Sequence, residues 1–134
     1  MDTLQYHDAQ GRRIAFRHLA GDGPTIVFLP GYKSDMAGGK ATAMFEWARK
    51  SERACLLLDY SGCGLSDGDF ADGTLSRWRD EVLALIEARV EGPVILVGSS
   101  MGGWLMLLVG EALGARLHAL VGIAAAPDFT AWGF

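Results

Sequence analysis

Cysteine is scarce in this chain: Cys55 and Cys63 are the only two among 134 residues. One lies in an apolar run and the other in a glycine-rich turn, which argues against a disulfide framework, and a zinc site would need more ligands at closer spacing. Basic runs are missing too. Twelve Lys and Arg face sixteen Asp and Glu, for a formal net charge of -4. Without clustered cations there is no footprint for a phosphate backbone, so no nucleic-acid partner is expected. Nor is there an unbroken membrane span. The uncharged stretch from Val94 to Gly110 approaches that length, but Gly-Ser-Ser-Met-Gly-Gly in its middle divides it into a short strand and a short helix. The opening residues Met1-Asp2-Thr3-Leu4-Gln5 have neither the basic nor the apolar region of a secretory signal, and the expected compartment is cytoplasmic. Repeats, linkers and low-complexity tracts are absent, and a chain that is 50% hydrophobic and 21% charged has the balance of a folded domain.

What is present is an alternation of strand and helix. Leu4 to His7 and Arg12 to Leu19 flank Asp8-Ala9-Gln10-Gly11 as a starting β-hairpin, with a loop slightly longer than two residues. Thr25 to Leu29, Ala54 to Asp59, Val94 to Val97 and Ala119 to Ala124 are short apolar runs without alternation, the pattern of parallel strands covered on both faces. Between them, Thr74 to Val90 carries Leu75, Trp78, Val82, Leu85, Ile86 and Val90 on one face. Arg77, Arg79, Asp80, Glu81, Glu87 and Arg89 lie opposite, with Thr74 or Asp72 as cap. Ala37 to Lys50 offers a comparable stripe through Ala41, Met44, Phe45 and Ala48. Met101 to Leu113 is apolar nearly all round and is expected to be the most buried of the three helices. Together these elements predict a doubly wound α/β fold.

Chemistry enters at Gly98-Ser99-Ser100-Met101-Gly102, a G-x-S-x-G pattern led in by the strand Val94 to Val97 and followed by a helix. Such a turn puts the serine in a strained backbone conformation, and side chains at 98 or 102 would collide across it. Ser100 would then stand at a helix N-terminus as a nucleophile, with the Met101 amide and the helix dipole facing an oxyanion on the attacked carbonyl. A second donor is expected from the loop after Thr25 to Leu29, where Pro30-Gly31-Tyr32 offers the Tyr32 amide. Two other glycine-rich stretches are near misses. Gly38-Gly39-Lys40-Ala41 has Ser34 where a phosphate-binding loop needs its first Gly and Ala41 where it needs Ser or Thr, and Gly62-Cys63-Gly64 lacks the third Gly of a dinucleotide fingerprint.

Four blocks carry a resemblance: Phe28-Leu29-Pro30-Gly31-Tyr32-Lys33-Ser34-Asp35-Met36, Asp59-Tyr60-Ser61-Gly62-Cys63-Gly64-Leu65-Ser66, Gly98-Ser99-Ser100-Met101-Gly102-Gly103-Trp104, and Gly122-Ile123-Ala124-Ala125-Ala126-Pro127-Asp128-Phe129. With them the chain resembles the α/β-hydrolase superfamily, and more closely its single-domain serine esterases and thioesterases related to abhydrolase domain-containing protein 10. The resemblance implies an α/β-hydrolase fold, a mostly parallel sheet with an N-terminal antiparallel hairpin. It also implies hydrolysis of small carboxylic esters, acyl-glucuronides or thioesters such as palmitoyl-cysteine, with no metal or organic cofactor. It assigns Asp59 and Ser66 to scaffolding. Tyr32 and Trp104 are candidates for lining an acyl pocket.

Against this stands the shortage of histidine. The fold presents nucleophile, acid and histidine in that order, and the one histidine after Ser100 is His118. It opens the strand that runs to Ala124, whereas sites of this fold lie beyond the carboxyl ends of the strands, about 20 Å away at about 3.3 Å per residue. His118 is therefore expected on the surface, and His7 and His18 belong to the hairpin. Asp128 follows a strand at the correct edge and is read as a cap or an acid. The acid and histidine loops of the family come later, so residues 1–134 are read as an incomplete domain, truncated after about the sixth strand. A serine without a base is a poor nucleophile, and impaired turnover is expected. Ala119 to Ala124 would form an apolar sheet edge that invites self-association. The competing expectation is a non-catalytic, hydrolase-shaped binding module.

Overall fold

The computed structural model describes residues 4–31 and 34–123. Six strands form one sheet: β1 (Leu4–Ala9), β2 (Arg12–Leu19), β3 (Asp22–Leu29), β4 (Arg53–Leu58), β5 (Val94–Ser99) and β6 (Leu117–Ile123), in the spatial order β1-β2-β4-β3-β5-β6. The first two pair antiparallel with each other and β2 pairs antiparallel with β4, while β4, β3, β5 and β6 run parallel. Three helices make the crossovers: α1 (Gly39–Lys50), α2 (Leu75–Arg89) and α3 (Met101–Leu113).

Both faces of the parallel strands are covered, which is why their sequences do not alternate between apolar and polar. Val27, Leu29, Leu56, Leu58 and Leu96 point into one core with Trp78, Val82 and Leu85 of α2 and Leu105 and Val109 of α3. Their neighbours Ile26, Phe28, Cys55, Leu57 and Val97 point to the other, under Ala41, Phe45 and Ala48 of α1. The expectation that α3 is the most buried helix holds, with seven buried residues against five in α2 and three in α1. Thr74, not Asp72, caps α2: its Oγ1 accepts a hydrogen bond from the Arg77 amide at 3.0 Å, while Asp72 ends a short 3₁₀ turn.

Two local expectations change. The hairpin loop is two residues long, because Asp8 and Ala9 continue β1 and pair with Arg13 and Arg12. That leaves Gln10 and Gly11, both at positive φ, 55° and 82°, as the two-residue turn that matches strand twist. The second change is on α2, where Glu81 is buried at 1% exposure rather than solvated. Its Oε2 meets Arg12 Nε at 2.7 Å and its Oε1 accepts from the Ser61 amide at 2.8 Å, so the charge is paired on both oxygens.

Beyond β5, β6 forms the outer edge of the sheet among the described residues, with Leu120 and Val121 at 40% and 45% exposure. The expected end of this strand at Ala124 lies outside the described residues, as does Asp128. Among the described residues, no helix is long and apolar enough to cross a membrane. Cys55 and Cys63 are both buried free thiols.

Candidate active site

The carboxyl ends of β3, β4 and β5 meet around Ser100. This residue stands between β5 and α3 at φ 56° and ψ −120°, a conformation that costs an ordinary residue on the order of 1–3 kcal/mol. The flanking glycines explain how it is reached. A Cβ on Gly98 would collide with the carbonyl of Gly102, and one on Gly102 would run into the Leu29 carbonyl of β3. The backbone is locked from two sides: the Ser100 amide donates to the Ile123 carbonyl at 3.1 Å, and the Gly103 amide donates to the Ser100 carbonyl at 2.8 Å. Ser100 itself is exposed, and the side chain of Met101, the first residue of α3, is buried. The sharp turn anticipated from the sequence is thus present, with the Met101 amide in the first turn of the helix.

Across from it runs the loop that follows β3. Gly31 is buried, and a Cβ there would lie 3.0 Å from the Ser99 carbonyl oxygen and 3.1 Å from Ser100 Cβ, so a side chain at this position would push the loop and the turn apart by a few tenths of an ångström. Tyr32, the expected second donor, lies outside the described residues. A cavity of about 230 Å³ opens beside the turn, lined by Pro30, Gly31, Ser34, Asp35, Lys40 and Ser99 among others. Lys40, in the glycine-rich stretch that is a near miss for a phosphate loop, lies in the first turn of α1 and donates to Ser99 Oγ at 3.5 Å. Trp104 is partly buried on α3.

The loop after β4 scaffolds this end. Asp59 is 1% exposed and accepts from the Met36 amide at 2.7 Å and the Leu65 amide at 2.9 Å. Burial pushes its carboxyl above the usual carboxylate range, opposed by those two amides. Ser66 Oγ donates to the Asp59 carbonyl at 2.7 Å and accepts from the Ala15 amide at 2.8 Å. Cys63 also faces this region, but burial raises its thiol to about 11, so it stays protonated near neutral pH.

Histidines are elsewhere. His118 is exposed at the start of β6, the extra residue of a bulge opposite Val94 and Ile95, at the amino end of the sheet. His18, on β2, lines a separate cavity of about 450 Å³ with Thr25, Glu87 and Arg89 at that same end. His7 pairs with Ile14 in the hairpin. None of the three is brought to Ser100. Among the described residues, no group of acidic, histidine and cysteine side chains could hold a metal.

A mostly parallel sheet, a strained serine at a strand-to-helix turn and a glycine loop packed on it together define the α/β-hydrolase class. The family model described as "Alpha/beta hydrolase family" matches residues 26–134, and the chain belongs to that family. It is 47% identical to the human mitochondrial palmitoyl-protein thioesterase ABHD10 over 115 residues, covering 86% of this chain and 38% of the relative. The mouse protein matches at 47% over the same length, with 39% of it covered. Among solved structures, mouse alpha/beta hydrolase domain-containing protein 10 superposes with a TM-score of 0.90 at 41% identity, covering 97% of this chain and 53% of that one. A putative hydrolase from Agrobacterium vitis S4 superposes at 0.85 and 39% identity, covering 97% and 54%. The chain therefore spans well under half the length of the curated relatives it matches. Those relatives are mitochondrial, and this overturns the cytoplasmic expectation. That expectation rested on five opening residues, which carry no information about a leader lying outside the matched region.

Proposed function

We propose that this chain carries the nucleophile and oxyanion half of a serine hydrolase that cleaves carboxylic esters or thioesters through an acyl-enzyme on Ser100. The observation that carries the reading is the backbone of Ser100, held at φ 56° and ψ −120° at the head of α3 by glycines that leave no room for a side chain. A fold spends strain of this kind where it must present one atom, here the Oγ, clear of the sheet. In the reaction Ser100 Oγ attacks the acyl carbonyl as a base removes its proton. The carbonyl oxygen becomes an oxyanion facing the amides of Met101 and Tyr32, and the alkoxide or thiolate leaves with a proton. Water then attacks the acyl-serine, releasing the carboxylic acid and restoring the hydroxyl. A small acyl ester or thioester is the substrate class, palmitoyl-protein thioesters being the activity named for the relatives. A mitochondrial setting goes with the same kinship.

A second reading has its own support. None of the three histidines lies near Ser100, so the described residues supply no histidine base. A hydrolase-shaped binding module, self-associating through the apolar edge of β6, accounts for that. The two readings part on one experiment, labelling of the purified chain with a fluorophosphonate, compared with Ser100→Ala by intact mass. The hydrolase reading expects one adduct on the wild type and none on the variant. A folded wild-type chain that takes no adduct overturns it in favour of the module.

A further inference from the structure

Two consecutive residues just past β4, Asp59 and Tyr60, grip the loop that faces Ser100. Tyr60 is fully buried, and its hydroxyl donates to the Pro30 carbonyl at 2.8 Å. Asp59, one residue earlier, holds the Met36 amide at 2.7 Å. Pro30 and Met36 bracket the loop sequence that contains Gly31 and Tyr32. The grip is itself anchored. The Tyr60 ring stacks on Trp78 with centroids 5.3 Å apart and planes at 21°. Trp78 Nε1 donates to the Ser61 carbonyl at 3.1 Å, while Glu81 accepts the Ser61 amide at 2.8 Å. Both backbone groups of the residue after Tyr60 are thereby fixed to α2.

We propose that Tyr60 is a positioning residue for the reaction, its hydroxyl setting where the Pro30–Gly31 peptide lies against Ser100, with Asp59 fixing the far end of the same loop. The peptide is planar, so fixing the Pro30 carbonyl also fixes the direction of the Gly31 N–H and the place of Gly31 Cα beside Ser100. That approach is already close, since a Cβ on Gly31 would be 3.1 Å from Ser100 Cβ. A shift of a few tenths of an ångström in the loop would change the spacing between Ser100 and any amide the loop presents, and the rate of attack depends steeply on such spacing. A hydroxyl whose only duty was packing could be replaced by hydrogen at the cost of stability alone. A hydroxyl that aims the loop must also lower the rate in molecules that remain folded.

The inference rests on the serine hydrolase reading, and its test separates the two. Inactivation by a fluorophosphonate is followed over a range of probe concentrations in the wild type and in Tyr60→Phe, which keeps the ring stacked on Trp78, at a temperature where near-ultraviolet circular dichroism shows both folded. The expected result is a maximal inactivation rate lowered ~10-fold with the half-saturating probe concentration within about twofold, since loss of preorganisation acts on the barrier rather than on binding. An unchanged maximal rate in folded Tyr60→Phe, beside a reactive wild type, overturns the positioning role alone. A wild type that does not react at Ser100 overturns the hydrolase reading and this inference with it. Should Tyr60→Phe not fold, Asp59→Asn tests the other end of the grip: a lowered maximal rate with binding retained supports the role, and an unchanged rate overturns it.

Discussion

The two ends of the parallel sheet differ in a way that cavity size alone would misjudge. At the amino end lies the larger hollow, about 450 Å³, with His18, Arg89 and two glutamates on its walls. At the carboxyl end the hollow is about 230 Å³ and holds no histidine among its lining residues. Yet the second end has the helix N-termini of α1 and α3, the strained serine and a glycine loop packed closely on it. In a doubly wound sheet the helix N-termini and the crossover loops gather beyond the carboxyl ends of the strands, so partial positive charge and backbone amides collect there whatever the cavity volumes. Strain and close approach set this end apart more clearly than size does.

The sharpest way to break the comparison is to place one methyl group at each end. Gly102→Ala drives a Cβ into the Leu29 carbonyl, a backbone atom that cannot swing away. The expected loss is about 3 kcal/mol or more in a urea titration, with Ser100 labelling abolished. Gly92→Ala, in the loop before β5 at the amino end, meets nothing within 4 Å and carries only the strain of φ +77°. It is expected to cost about 1 kcal/mol and to leave labelling intact. Equal costs at the two positions would mean that the carboxyl end is no more tightly built than the amino end.

How legible these ends were in the sequence depended on whether a constraint was local. The turn at Ser100 is local: G-x-S-x-G between an apolar strand and an apolar helix specifies its own geometry, and residues 98 and 102 fit the collision argument as anticipated. Strands β3 to β6 and all three helices followed from apolar patterning, with described boundaries within about two residues except at the start of β3, which begins at Asp22 rather than Thr25, because hydrogen-bond pairing, not composition, decides where a strand starts and stops. The scaffold of the site was not legible. Glu81 was assigned to a solvated face by its charge, although it lies three residues after Trp78 and four before Leu85, on the same buried stripe. Spacing carried the correct signal and charge overrode it. Its partners Arg12 and Ser61 are 69 and 20 residues away, and no local pattern announces such pairs. Tyr60 carries no local signal of its part in the scaffold, because its hydroxyl finds its acceptor 30 residues upstream, across β3 and β4.

A smaller effect separates strain from chemistry at Ser100 itself. Ser100→Gly and Ser100→Ala both remove the hydroxyl, but glycine adopts φ 56° and ψ −120° without penalty. The relief of strain, on the order of 1–3 kcal/mol, is partly offset by the greater freedom of glycine in the unfolded chain. Ser100→Gly is therefore expected to be more stable than Ser100→Ala by about 1 kcal/mol in urea midpoints, with neither labelled. Equal midpoints would mean that the turn stores no strain and that its shape is not evidence of function.

The smallest effect belongs to the amino end. Burial, and then the charge of Arg89, hold His18 below the usual histidine range. Its folded pKa lies under its unfolded value, so the native state binds the proton less readily than the unfolded chain does. Stability is therefore fully present above about pH 6.5 and declines as pH falls from there toward the folded pKa. His18→Asn has no such titration. Its urea midpoint relative to wild type is expected to rise between pH 7.5 and pH 5.5, while the rate of Ser100 labelling at either pH stays equal in the two proteins. A change in that rate would make His18 part of the chemistry, and would join two ends of the sheet that the structure holds a strand length apart.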